Sequence, residues 1–259
     1  MPAHTLRIAL LHLAPIPGDL TRNRRLVETA VTTAARLGVT WIITPELIVT
    51  GYTFVDSIGT EWILPQPDSW MTHMSQLVAR LRVTLFLSCP EQDRKSRKFY
   101  NSLFVIAANG TIVGTHRKIN TLRVGSEAWS TPRNAGCRHT SPSVHTCRDA
   151  DLCGCIYVGD RSKPTGPRGA TTGLSSRMGT GSSWPEWRMG AMHPRHRAPA
   201  HRLQSGPDRT LDFRQAESVV VRDGLRLLSL SSARSAVFAI EWDLEKQTLA
   251  TMEYRTIYL

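Results

Sequence analysis

A glutamate stands just past the end of an apolar run. In "TWIITPELIVTGY", Thr40 to Tyr52, Glu46 follows Pro45 and a mostly β-branched segment, and Lys118 occupies the same kind of place after "TIVGTHR". The carboxyl ends of buried strands are where open α/β sheets set ligand-binding and catalytic groups. The chemistry such groups carry is proton transfer and the stabilisation of developing charge. On position alone the pair reads more readily as a simple ion pair between two strand ends.

The elements that must position them are legible. "LRIALLHL", Leu6 to Leu13, suits a buried strand. Leu26, Val27, Ala30, Val31, Ala34 and Leu37 then fall on one helical face, with Asp19 as N-cap and Gly38 as the stop. "TWIIT" is a second short strand, so the opening reads strand, helix, strand, the unit of a sheet covered by helices. Asp68 to Leu81 is a second amphipathic helix and Val83 to Ser88 a further buried strand. "NSLFVIAANGTIVGTHRK" makes two strands around Asn109-Gly110, a strong hairpin signal. "ESVVVRDGLRLLSLSS" repeats the device around Asp223-Gly224, followed by the strand "SAVFAIEWDLE".

Between these β-rich parts the composition changes. The chain has 259 residues, is 41% hydrophobic and carries a net charge of +11, enough apolar content for one large or two small domains. Arg133 to Gln204 holds 11 Lys+Arg against 4 Asp+Glu, leaving a net +4 for the rest. The same window contains Cys137, Cys147, Cys153 and Cys155, four of the five cysteines, and nine of the eighteen glycines.

"PELIVTGY", "YNSLFVIAANGTIVGTHRK" and "GSEAWSTP" occur in that order, and each resembles a motif of the nitrilase, or carbon-nitrogen hydrolase, superfamily. The resemblance covers roughly residues 5 to 132 and resumes from "GPDRTLDFRQAESVVVRDG" to "FAIEWDL". It implies a single α/β domain over residues 1–259, a four-layer α-β-β-α sandwich disrupted in mid-chain, and hydrolysis of non-peptide C–N bonds, most plausibly amides. It further implies a Glu-Lys-Cys triad. Glu46 would be the general base, Lys118 the oxyanion stabiliser, and Glu127 in "GSEAW" would orient the lysine and substrate. A thiol is mostly protonated near neutral pH, so a nearby base is needed to raise its thiolate fraction.

The cysteine of that triad belongs about where Cys153 stands, 35 residues beyond Lys118. Leu152-Cys153-Gly154-Cys155 lacks both the preceding apolar strand and the following acid. Reading the gene one base later accounts for the mismatch. The codons of "DLCGCIYV" then permit Ile-Cys-Ala-Asp-Ala-Tyr-Thr, and those of "APAHRLQ" permit Leu-Pro-Leu-Ile-Val-Cys-Asn. Met178-Gly179 and Met189-Gly190 each force Trp, and Met192-His193 forces Cys. The expectation is a compensated frameshift from about Arg133 to about Gln204, with the nucleophile encoded across the codons of Leu152 and Cys153 and the window largely irregular. The alternative is an inactive chain with a basic interaction segment.

Other readings are weaker. Cys137, His139, His145, Cys147, Cys153 and Cys155 lack the two CxxC-type pairs of structural zinc, so no metal and no cofactor is expected. Few aromatics interleave with the basic residues, against nucleic-acid binding, and "SKPTGPRGATTG" lacks a phosphate loop's Gly-Lys-Ser/Thr ending. The N-terminus has no signal-peptide pattern and no apolar run reaches a membrane span of about 18 residues. A cytoplasmic enzyme with a small-molecule substrate is expected, with a homodimer possible from the resemblance. Cys89, Trp41 and Phe86 read as core, His12 as core or support, and Tyr100 and Asn101 as shaping the start of the hairpin rather than touching substrate. His116 and Arg117 alternate in direction, so at most one shares the face of Lys118.

Overall fold

The first strand, β1 (Thr5–His12), alternates its side chains between two apolar environments. Ala9 and Leu11 join one buried cluster, Ile8 and Leu10 another, so β1 has a layer on each side. The computed structural model describes residues 5–118, 121, 127–132, 138–139, 156–157, 173–174, 188–193, 217–222, 225–232 and 234–259.

The helix α1 (Leu20–Arg36) begins where Asp19 accepts a hydrogen bond from the Arg22 N–H and ends at Leu37, ahead of Gly38 at φ 72°. Its stripe of Val27, Ala30, Val31 and Ala34 is fully buried on the sheet, and burying each valine is worth about 1.5–3 kcal/mol. β2 (Trp41–Ile43) pairs parallel with β1, as a right-handed crossover through α1 provides. A short helix, α2 (Val55–Ile58), lies in the long connection to α3 (Ser69–Leu81), which Asp68 caps. Met71, Met74 and Val78 turn α3's apolar face inward beside α1.

β3 (Thr84–Gln92) pairs parallel with β2 and runs four residues beyond the expected Ser88. β4 (Phe99–Ile106) and β5 (Ile112–Arg117) follow as an antiparallel hairpin. Its loop closes through the Ala107 N–H to Thr111 O at 2.9 Å, with Gly110 at φ 83°. A Cβ on Gly110 would sit 2.6 Å from the Ser75 carbonyl oxygen of α3, so glycine here permits both the turn and the close approach.

Within residues 133–204 the described residues are β6 (Arg138–His139), β7 (Ile156–Tyr157), β8 (Gly173–Leu174) and β9 (Arg188–His193). Cys153 and the other cysteines of that window lie outside the described residues, as does the Asp223-Gly224 turn. β10 (Glu217–Arg222), β11 (Leu225–Ser231), β12 (Ala236–Asp243), β13 (Thr248–Leu249) and β14 (Arg255–Tyr258) complete the chain.

The main sheet runs β13-β12-β1-β2-β3-β4-β5-β6, with β14 also on β12, and a second sheet runs β11-β10-β9. One cluster fills the space between α1, α3 and the main sheet. The other joins the opposite face of that sheet to Val220 and Leu230 of the second. The protein is therefore α/β with a large central sheet, and the described residues supply three of the four layers the resemblance implies. Phe86 is fully buried, but Trp41 is only half-buried against it, with rings 5.1 Å apart. No helix among the described residues is long and apolar enough to cross a membrane.

Candidate active site

β2 and β5 point the same way and β4 runs opposite, so the carboxyl ends of β2 and β5 and the amino end of β4 meet at one edge of the sheet. Glu46, Lys118 and Asn101 come from those three ends. The backbone locks each one. After β2 the chain turns with Leu47 at φ 49°, its N–H given to Ser88 Oγ at 3.0 Å, and Gly51 N–H closes on Leu47 O at 2.8 Å. Gly51 is at φ 71°, and a Cβ there would lie 3.0 Å from Pro17 Cα. The Asn23 amide holds Ile16 O and Val49 O at 2.8 and 3.1 Å. These bonds pair part of the polar backbone that the loop buries.

Lys118 N–H donates to Asn101 O at 2.8 Å, extending the β4–β5 ladder by one step. Asn101 and Lys118 therefore stand opposite each other on the face toward the second sheet, with Leu103 and His116. Glu127 arrives on a turn in which Ser130 N–H and Oγ bond Glu127 O at 2.9 and 3.0 Å. Thr131 N–H ties that turn to Phe99 O at 2.8 Å, and the Trp129 ring meets Phe54 edge-on at 5.2 Å.

These elements close one polar cluster. Lys118 Nζ lies 3.0 Å from Glu46 Oε1 and 2.6 Å from Glu127 Oε1. Asn101 Nδ2 donates to the same two oxygens, at 2.7 and 3.0 Å. Tyr52 OH donates to the other oxygen of Glu46. Glu127 is fully buried, Asn101 is 1% exposed and Glu46 7%. Among the described residues, two carboxylates surround one ammonium in a mostly enclosed site, a formal surplus of negative charge. Three neutral-donor hydrogen bonds, two from Asn101 and one from Tyr52, offset part of its desolvation.

The structure thus brings together Glu46, Lys118 and Glu127, while Cys153 lies outside the described residues. Asn101 corrects the sequence reading: it bridges both carboxylates instead of only shaping the hairpin. Tyr52 had no assigned role, although it ends the motif that carries Glu46. Tyr100 faces away, under the Arg117 guanidinium at 4.1 Å. Arg117 pairs with Glu91 and Asp93 on the helix-facing side. Cys89, the free cysteine among the described residues, sits in that helix-facing core, and burial pushes its thiol well above the ordinary range. A thiol so placed is inert. His12 is buried between the sheets, its ring nitrogens 3.3 Å from Ser218 Oγ and 3.0 Å from Ser232 O, and burial lowers its pKa. That is a structural cross-link. The described residues contain no group of His, Cys, Asp and Glu suited to hold a metal ion.

The family profile described as "Carbon-nitrogen hydrolase" matches residues 7–157. No curated protein sequence matches the chain. Among solved structures, a mutant of the amidase from Nesterenkonia sp. AN1 in complex with butyramide is similar at 16% identity and TM-score 0.59, over 94% of each chain. Saccharomyces cerevisiae Nit3, a member of branch 10 of the nitrilase superfamily, is similar at 14% identity and TM-score 0.57, over 93% of this chain and 92% of that one. Another mutant of the Nesterenkonia amidase carries the acetamide moiety of fluoroacetamide on its active-site cysteine. It aligns at 20% identity and TM-score 0.43, over 51% of this chain and 49% of that chain, so that the chain spans about half the amidase's length there. At these identities the structural likeness speaks for the fold alone.

Proposed function

The chain belongs to the carbon-nitrogen hydrolase family, and from that premise we propose that it hydrolyses a non-peptide C–N bond, that of a small amide, at the Glu46–Lys118–Glu127 cluster. The observation that carries the reading is the placing of one ammonium between two buried carboxylates at a strand-end edge. In the reaction Glu46 takes the proton of a cysteine thiol, and the thiolate attacks the amide carbonyl. The new oxyanion is stabilised by Lys118, a donor of a kind worth about 3 kcal/mol, while Glu127 holds Lys118 in place. The C–N bond breaks, the proton on Glu46 goes to the departing amine, and a thioester remains. Glu46 then deprotonates water, which cleaves the thioester and frees the thiol.

The thiol is the open member. The frame reading places it in an Ile-Cys-Ala-Asp segment encoded across the codons of Leu152 and Cys153. A second reading, favoured by the family match continuing past Arg133 to residue 157, makes Cys153 itself the nucleophile. Alkylation by iodoacetamide, mapped by mass spectrometry in the chain as written and in a frame-restored version, separates them. The frame reading expects rapid alkylation only of the restored cysteine, slowed by Glu46→Gln. Rapid, Glu46-dependent alkylation of Cys153 would select the second reading, and no Glu46-dependent alkylation in either version would refute the amidase site.

A further inference from the structure

Glu46 has three donors. Lys118 Nζ and Asn101 Nδ2 both reach Oε1, and Tyr52 OH reaches Oε2. A carboxylate offers about four lone-pair positions, so the described residues leave one, on Oε2, for the proton that a general base must accept. Asn101 does a second thing. Its Nδ2 lies within hydrogen-bond distance of both Glu46 and Glu127, and an amide NH2 has one hydrogen for each. The opposite amide orientation would aim Oδ1 at two carboxylate oxygens, so the surroundings fix which way the group faces.

We propose that Asn101 is a positioning residue of this site: its NH2 group sets the spacing of Glu46 and Glu127 around Lys118, while Tyr52 fixes the remaining rotation of Glu46, so that the base presents a single open lone pair on Oε2. The functional half rests on the amidase reading; the bridge itself does not. The bridge is held from behind, because Asn101 is paired on the β4–β5 ladder through its carbonyl to Lys118 N–H, and the side chain has no room to turn at 1% exposure.

The bridge is tested first without any turnover. The chain has five asparagines, Asn23, Asn101, Asn109, Asn120 and Asn134, so selective asparagine 15N labelling of the full chain gives five side-chain NH2 pairs. The Asn101 pair is identified by its loss in Asn101→Ser. Both of its protons are expected to exchange with solvent far more slowly than those of Asn109 at the hairpin tip. Glu46→Gln is expected to move one proton of the pair and Glu127→Gln the other. Exchange as fast as that of Asn109 in the parent chain, or one proton answering to both substitutions, would overturn the bridge.

Function is tested in whichever chain version releases ammonia from butyramide. Asn101→Leu is expected to lower kcat by roughly 100-fold with KM within about threefold, the signature of a misplaced group rather than lost binding. Asn101→Asp sets a third carboxylate against two, and its activity is expected to recover as pH falls and that group takes a proton and becomes a donor. Wild-type kcat in Asn101→Leu, or an unshifted pH profile in Asn101→Asp, would refute the positioning role. If neither version releases ammonia the amidase reading fails, and the proton signals still decide the bridge.

Discussion

Tyr100 and Asn101 are neighbours in β4, and Arg117 and Lys118 are neighbours at the end of β5, yet each pair splits between the two faces of one sheet. Both faces build a cluster of one cation with two carboxylates. On the helix side Arg117 gives Nε to Glu91 and Nη1 to Asp93 at 3.0 Å, over the Tyr100 ring. Asp93 sits in a loop and also accepts from the Ser96 N–H and hydroxyl at 2.8 and 3.0 Å. On the other side Lys118 meets two carboxylates that also accept from the neutral donors Asn101 and Tyr52. A guanidinium is a planar fork that these partners fix in place, whereas an ammonium is a point charge on a flexible stem that can follow a developing charge. Equal ion counts therefore fit different ends: the Arg117 face ties strands together, and the Lys118 face carries the arrangement proposed to react.

The largest effect expected is at Lys118. Lys118→Met leaves two buried carboxylates without the ammonium between them, costing about 3–5 kcal/mol of stability, and should abolish ammonia release by an active chain; urea unfolding and an ammonia assay read the two. Arg117→Met should cost about 2 kcal/mol, less because the guanidinium is partly solvated, while the turnover of an active chain changes less than about threefold. Activity lost on both faces would dissolve the distinction. Tyr52→Phe removes one hydrogen bond to a charged group, worth about 1.5 kcal/mol, so the unfolding midpoint should drop by less than in Lys118→Met and kcat of an active chain should fall about tenfold.

The smallest effects are in pH. Burial pushes Glu91 up from its ordinary 4.5, with Arg117 offsetting only part of the shift. Its contribution to stability is full below pH 4.5 and is lost as pH rises through the folded value, so Glu91→Gln should steepen the rise of stability with pH above that point. Asp93 is held below its ordinary 3.8, first by the Ser96 N–H. Its contribution is present above pH 3.8 and fades as pH falls through the lower folded value, so the deficit of Asp93→Asn should begin to shrink below pH 3.8. Urea midpoints from about pH 3 to 7 check both signs. Shifts of the same sign would mean either that burial does not outweigh Arg117 at Glu91 or that the Ser96 donors do not hold Asp93.

Much of this was legible in the chain. Caps at Asp19 and Asp68, the apolar stripe of α1 and the runs that become β1, β2 and β3 announce themselves by period and capping chemistry. Lys118 and Glu46 were legible as strand-end groups, and Glu127 through its motif. Asn101 could have been found by counting: a two-residue loop at Asn109-Gly110 would pair residue 101 with residue 118. The loop is in fact one residue longer, and a register shift after Val105 restores that pairing. What could not be read was which side of β4 each neighbour faces, since that depends on the second sheet, and how Tyr52 folds back, which depends on a left-handed Leu47. Trp41 packs against the core but stays half-buried, because apolar character alone does not say that a strand start lies near solvent.

The central claim is that Glu46 and Lys118 serve a covalent cysteine route to amide hydrolysis. Ammonia release from butyramide by the purified chain as written, the frame-restored chain and the frame-restored Glu46→Gln variant tests it most directly. The account predicts turnover in the restored chain, little or none in the chain as written, and loss of turnover on Glu46→Gln. Full-rate hydrolysis by the Glu46→Gln variant would contradict it.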